Sequence, residues 1–238
     1  MSAHVMRARN SGLLIWDLPL RLCHWLLAVA VLGSWVTHKI GAAAFTWHVW
    51  CGCTVLVLTA FRIVWGFAGP RHARFANFVR GPSSIGRYTR SLFTVGSPQH
   101  YAGHNPLGAL MVLLLLVLLG VQAAAGLFAN DEVVSSGPLY GYVSDATSDA
   151  WSRVHRWGAK LIWFAVWLHV AAVFFHVLVK RNNLIAPMIT GRKQRVWLAP
   201  NEEIASSQVL RAALIAATCA AIVYWLVETA PTPSLILF

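Results

Sequence analysis

Apolar residues run through this chain in long blocks, not in the two-residue alternation of strands. Five blocks reach the about 20 residues that a helix needs to cross a hydrocarbon core about 30 Å thick: residues 20–40, 45–67, 106–129, 154–179 and 209–227. Gly41, Gly69-Pro70, Pro106 and Pro187 punctuate them. Membrane-spanning strands would alternate in units of about ten residues. These blocks do not, so the pattern predicts helices. The expected fold is an all-α integral membrane protein, with a four-helix transmembrane bundle within residues 1–190. A C-terminal segment, 191–238, adds a fifth transmembrane helix.

Composition strengthens this reading. Of 238 residues, 58% are hydrophobic and 11% are charged, and the mean hydropathy is +0.60. A soluble domain carries about 25% charged and about 45–50% apolar residues, so no soluble interior of this size hides the surplus. The same numbers exclude intrinsic disorder. The net charge of +11 sits between the hydrophobic runs, which argues against nucleic acid as a partner and leaves membrane lipid as the surroundings.

The cations also predict orientation. Arg7, Arg9 and Arg21 lie at the start of the chain. Arg71, Arg74, Arg80, Arg87 and Arg90 lie between the second and third helices with no acid among them. Lys180, Arg181, Arg192, Lys193 and Arg195 follow the fourth helix. If five helices alternate, these regions share the cytoplasmic side. The loop 130–152, with Asp131, Glu132, Asp145 and Asp149 and no base before Arg153, falls outside with the C-terminus. Residues 1–17 lack the apolar stretch and small-residue site of a cleavable signal, so the first apolar run is expected to stay as an anchor. Segment 71–99, basic and aromatic, reads as a short amphipathic piece on the inner surface or as a solvated basic loop. The outer loop, with Ser135-Ser136-Gly137-Pro138 and Gly141, reads as turns with at most one short helix.

The polar residues inside the apolar blocks carry the chemistry. Cys23, Cys51, Cys53 and Cys219 all lie in apolar runs and read as small hydrophobes. The absence of a Cys-x-x-Cys-His excludes covalent attachment of a c-type haem. Histidine at membrane depth is costly and needs a partner. Here His24, His38, His48, His104, His155, His169 and His176 lie near or inside four helices. His155 and His169 are 14 residues apart. Four helical turns take about 14.4 residues, so both rings share a face, with a rise of about 21 Å between them. His48 opens the second helix on the outside, level with His155, and His24 begins the first on the inside. Depth therefore pairs His48 with His155 and His24 with His169. By depth alone His176 competes with His169, and His38 with His48.

Two imidazoles at each of two levels suit a particular group. Zinc usually takes four ligands, and no Asp, Glu or Cys cluster stands near. Haem iron needs only two axial ligands. Gly33, Gly52, Gly120, Gly126 and Gly158 offer room for a flat macrocycle, and Trp25, Trp47, Trp50, Trp157 and Trp163 could line it. Arg21 and Arg62 on the inner side are candidates for its propionates, as are Lys39, Arg153, Arg156 and Lys160 on the outer. Each of these cations reads equally as ordinary snorkelling at the interface. A metal-ion transporter is the contrasting class, but it would want acids at the midplane, and the helices offer almost none beyond Glu228 at the end of the fifth.

These residues resemble the bacterial cytochrome b561 and nickel-iron hydrogenase b-type cytochrome family over about Ile15 to Met188. Trp16-Asp17-Leu18-Pro19-Leu20-Arg21-Leu22-Cys23-His24-Trp25 is similar to the family's first-helix opening. Trp47-His48-Val49-Trp50-Cys51-Gly52 is similar to its second, whose end Phe61-Arg62-Ile63-Val64-Trp65-Gly66 also resembles it. Gly103-His104-Asn105-Pro106-Leu107-Gly108 resembles the start of the third helix. Leu168-His169-Val170-Ala171-Ala172, His176 and Lys180-Arg181-Asn182-Asn183-Leu184 resemble the fourth and its exit. The resemblance implies two non-covalent haem b groups with bis-His iron, His24 with His169 and His48 with His155, which decides against His176 and His38 as ligands. It makes His104 and His176 candidates near an inner-side quinone site, with ubiquinone the candidate ligand. It implies a di-haem cytochrome of the bacterial inner membrane that moves electrons between the quinone pool and a periplasmic redox partner, such as a c-type cytochrome or a dehydrogenase subunit. Two variants of that function are a superoxide-oxidising quinone reductase and the membrane anchor of a periplasmic hydrogenase or dehydrogenase. The fifth helix lacks histidine and departs from the four-helix pattern, so it is expected to pack outside the haem bundle or to meet a partner.

Overall fold

The computed structural model describes residues 12–93, 101–131, 135–194, 198 and 200–231. Among the described residues it is helical, with no sheet core. The elements are α1 (Leu18–Ile40), α2 (Phe45–Ala68), α3 (Phe75–Phe78), α4 (Pro82–Leu92), α5 (Pro106–Phe128), α6 (Asp145–Leu178), α7 (Ile185–Thr190) and α8 (Val209–Glu228). A two-residue antiparallel pair joins β1 (Leu13–Leu14) to β2 (Arg192–Lys193). Among the described residues, helices α1, α2, α5, α6 and α8 are the five that are long and apolar enough to cross a membrane.

Local chemistry sets the ends of these helices. Asp17 caps α1: its Oδ1 accepts the Leu20 amide at 2.9 Å, and Pro19 in the first turn needs no amide partner. Gly41, at φ +87°, closes α1 in a conformation that costs glycine little. Asn105 caps α5 by accepting the Gly108 amide at 2.7 Å, with Pro106 at the first helical position.

One difference from the sequence expectation stands out, and one open alternative is decided. The fourth long helix begins at Asp145, not 154, so much of the outer loop read as turns is helix. Its first turns are polar, which hides their period, yet one side is buried. Ser148 Oγ donates to the Phe128 carbonyl at 2.6 Å, and Ser152 Oγ to the Asn130 carbonyl at 3.0 Å. These serines take up carbonyls at the frayed end of α5. The basic connection after α2 is also largely helical. In α4 Tyr88 is buried while Arg87 and Arg90 are exposed, the amphipathic of the two expected alternatives. Residues 94–100 lie outside the described residues.

The chain divides into two compact units. The first comprises Met1–Leu22, Val64–Leu114 and Trp167–Ala212. Its buried side chains include Leu13, Ile15, Trp16, Trp65, Phe78 and Tyr88. The Gly191 carbonyl accepts the amides of Ile15 and Trp16, and the Leu14 carbonyl accepts the Ile204 amide. Glu202 lies 3.3 Å from Arg71 and 3.6 Å from His72, and His72 Nε2 donates to the Glu202 carbonyl at 2.7 Å. Burial holds the His72 imidazole below its usual range against the pull of Glu202.

The second unit comprises Cys23–Ile63, Leu115–Val166 and Ala213–Phe238. Its core gathers residues from four helices: Ala30 of α1, Val55 of α2, Leu119 and Ala123 of α5, and Ile162 of α6. Small residues at Ala30 and Ala123 let helix backbones approach, as membrane packing favours. Along α8, Cys219 and Val223 are buried, whereas Leu214, Tyr224 and Trp225 are exposed. None of the four cysteines, all among the described residues, forms a disulfide.

Candidate cofactor site

The clearest constellation lies within the second unit. His48 stands near the start of α2 and His155 on α6. Their ring centroids are 6.1 Å apart and their planes cross at 83°. His48 Nδ1 lies 2.9 Å from the Ser34 carbonyl, and His155 Nδ1 lies 3.0 Å from the Gln122 carbonyl. A carbonyl can only accept, so both Nδ1 atoms carry the proton. Each Nε2 is then left with a lone pair, and each ring is held in orientation by its other nitrogen.

A group held axially by two imidazoles fits this spacing. With metal–imidazole bonds of about 2 Å on each side and each ring centroid about 1 Å behind its nitrogen, two axial rings have centroids about 6 Å apart. Among the described residues, no group of three or more His, Cys, Asp or Glu side chains gathers to hold a bare ion. Glycine makes room nearby. A Cβ on Gly126 would stand 2.9 Å from Cε1 of His155, and a Cβ on Gly158 would stand 2.3 Å from Oε1 of Gln122. A Cβ on Gly52, one turn beyond His48, would meet nothing within 4 Å. His38 is exposed, with its ring 6.2 Å from His48.

The remaining expected residues are distributed between the units. His24, in the second, has its ring edge-on to Trp25 at 5.0 Å; His169, in the first, is half-buried on α6. Arg62, in the second unit, is buried. Arg21, in the first, donates from Nη1 to the Ile189 carbonyl. His104 sits in an aromatic cluster, 4.7 Å from Trp16 and 4.6 Å from Phe78. His176 Nε2 lies 3.4 Å from the Tyr88 hydroxyl. His176 lines a cavity of about 40 Å³ within the first unit, as do Gly103 and Asn105 on either side of His104. Pockets for drug-sized ligands run to about 300–1,000 Å³, so this cavity is too small for a quinone ring.

Some participants escape a reading of sequence. The carbonyls of Ser34 and Gln122 orient the two imidazoles, yet a main-chain carbonyl leaves no sequence signature. Tyr88 and Lys193 line the cavity from segments that read only as basic connections. Tyr88 lies between Arg87 and Thr89 and Lys193 between Arg192 and Gln194, so neither stands out from its polar neighbours in the sequence.

Comparison with known proteins identifies the class. The chain belongs to the prokaryotic cytochrome b561 family, whose profile matches residues 15–191. It is a multi-pass membrane protein and a b-type cytochrome, of a class that holds haem without covalent attachment and carries electrons in membranes. It is 26% identical over 216 residues to the probable Ni/Fe-hydrogenase B-type cytochrome subunit of Azotobacter chroococcum, covering 77% of this chain and 89% of that one. The corresponding protein of Rhizobium leguminosarum is 25% identical over 224 residues, covering 80% and 93%. That of Bradyrhizobium diazoefficiens is 23% identical over 213 residues, covering 76% and 85%. No solved structure gives a significant match.

Proposed function

We propose that this chain holds two haem b groups and passes electrons across the bacterial inner membrane between quinone and a periplasmic redox partner. His48 and His155 are the axial ligands of one haem, and His24 and His169 those of the other. The observation that carries the reading is the His48–His155 pair, spaced for a shared iron and oriented by two carbonyls. When bound, haem accepts and releases single electrons at a potential set by its ligands and surroundings. The chain's own contribution is to present neutral Nε2 lone pairs, to fix ring planes, and to keep the surroundings apolar. Val55, Leu119 and Ile162 supply such surroundings in the second unit.

The distribution of cations supports an N-terminus and a quinone-facing end on the cytoplasmic side. That end carries Arg21, His104 and His176. Quinone meets the chain at that end. The acidic loop and the C-terminus then face the periplasm. Asp131 and Asp145 are exposed there, Asp145 accepting the Tyr140 hydroxyl at 2.7 Å; Glu132 lies outside the described residues. The names of the relatives favour a hydrogenase as the periplasmic partner. A basic c-type cytochrome is the alternative that the loop's charge would steer.

Reconstituted vesicles test the function. With a quinol supplied in the bilayer, the haem-loaded chain is expected to reduce a membrane-impermeant acceptor on the acidic-loop side, and His48→Ala to reduce that rate at least tenfold. Equal rates in the two proteins would remove the proposal. Neutralising Asp131, Asp145 and Asp149 together is expected to flatten the salt dependence of exchange with a basic partner, read from rates across ionic strengths. An unchanged slope would exclude steering by the loop.

A further expectation concerns Gly126. A Gly126→Val side chain has no place beside the His155 ring, and overpacking of this kind costs about 1–3 kcal/mol. Haem content is expected to drop from two per chain towards one while the helical circular dichroism stays unchanged. Two haems per chain in this variant would show that the ring has latitude to move.

A further inference from the structure

The small cavity of the first unit is built for an anion. Tyr88, Ser91, Asn105, His176, Lys180 and Lys193 contribute to its wall, and no Asp or Glu is among the lining residues. Lys180 Nζ donates to the Leu92 carbonyl at 2.6 Å, and Lys193 Nζ to the Tyr101 carbonyl at 2.9 Å. An ammonium has three donors, so these bonds anchor the two cations and leave further N–H groups for a ligand. Asn105 spends its Oδ1 on the Gly108 amide, which leaves its amino group as a donor. Tyr88 adds a hydroxyl, whereas the Ser91 hydroxyl donates to the Tyr88 carbonyl at 2.7 Å. Among the described lining residues, two cations stand without a carboxylate beside a tyrosine hydroxyl and an asparagine amide.

We propose that this cavity binds a phosphate-class oxyanion, supplied by the headgroup of an anionic lipid or by soluble phosphate. The volume of about 40 Å³ exceeds the about 10–15 Å³ that admits one water and suits a compact tetrahedral group. Basic pockets at the cytoplasmic ends of membrane helices recognise lipid headgroups in this way. Here the wall is drawn from the amphipathic α4, the approach to α5 and the end of α6. Burial lowers the Lys193 ammonium to about 8 and raises the Tyr88 hydroxyl to about 12. A bound oxyanion relieves the first of these costs and accepts a bond from the second group while it is still protonated. The site stands independently of the haem ligand assignment.

The test follows thermal unfolding of the full, haem-loaded chain in a non-ionic detergent. Three additions are compared: inorganic phosphate, a short-chain phosphatidylglycerol and a phosphatidylcholine of the same chain length. At about a hundred times the dissociation constant, a site of this kind raises the midpoint by roughly 5–10 °C. A rise with phosphatidylglycerol alone supports a lipid-headgroup site. A rise with inorganic phosphate, with or without phosphatidylglycerol, supports a site open to soluble phosphate. Lys180→Gln is expected to lower the apparent affinity at least tenfold, and Lys180→Gln with Lys193→Gln to abolish the shift, both with the haem spectrum unchanged. If the double variant fails to fold, Lys180→Gln alone carries the comparison. The proposal is overturned if neither phosphate nor phosphatidylglycerol shifts the midpoint. Equal shifts from phosphatidylcholine and phosphatidylglycerol without one from phosphate, or an undiminished affinity in Lys180→Gln, overturn it too.

Discussion

Replacing His155 with alanine is expected to leave the purified chain with about one haem in place of two. The imidazole that faces His48 at 6.1 Å is removed, and a single remaining ring does not hold a six-coordinate iron in place. Little else should change. His155 is half-buried, and the Gln122 carbonyl it engages belongs to a helix whose ladder already uses that oxygen. The fold therefore survives, and haem content separates from helical content. His24→Ala is expected to give the same stoichiometry by losing the other haem, and His155→Ala with His24→Ala to give none. Haem quantified per chain distinguishes the cases. Retention of two haems in His155→Ala would break the pairing, and loss of both would mean that the sites do not fill independently.

Asp17→Ala is expected to be the most destabilising single change outside the cofactor sites. Asp17 is 1% exposed and Trp65 is fully buried. One carboxylate oxygen accepts the Trp65 indole N–H at 3.0 Å and the Leu20 amide at 2.9 Å. Truncation leaves the indole donor buried without this acceptor, which costs about 1–3 kcal/mol, and removes a helix cap worth about 1 kcal/mol. At about 2–4 °C per kcal/mol for a chain of this size, the unfolding midpoint should fall by roughly 5–15 °C. Asp17→Asn keeps a carbonyl oxygen at the same place and should lose much less. A midpoint unchanged in Asp17→Ala would mean that the cap and the indole bond contribute nothing net.

How much of this was legible in the chain differs by feature. The five long helices follow from length and apolarity alone; all five end, and four of them also begin, within two residues of the blocks that predict them. The start of α6 was not legible, because its first turns bury serines rather than aliphatic side chains. Ser148 and Ser152 are recognisable as inward-facing only once the carbonyls of Phe128 and Asn130 are seen to need donors. The segment that follows α7 reads as a loop, and its engagement of Leu14, Arg71 and His72 rests on main-chain groups and on Glu202. Pairing across chain separations of about 130 to 190 residues leaves no periodic trace.

The candidate site divides in the same way. Histidines stand out in an apolar chain, and helix depth brings His48 level with His155. Depth does not separate His48 from His38, both of which lie near the outer end. The structure distinguishes them physically. The His48 ring is clamped by the Ser34 carbonyl and meets His155 edge-on, whereas His38 is exposed. Glycines at Gly126 and Gly158 were legible as small residues, but what each avoids, the His155 ring or the Gln122 amide, is a tertiary fact. His104, which the resemblance makes a candidate near a quinone site, packs against two aromatic rings.

The measurement that bears most directly on the central claim is the pyridine haemochrome of the purified wild-type protein, expressed with ample haem and referred to protein concentration by amino-acid analysis. Two haem b per chain is the result expected if four imidazoles hold two irons. A folded protein carrying none, or saturating at one, would contradict it.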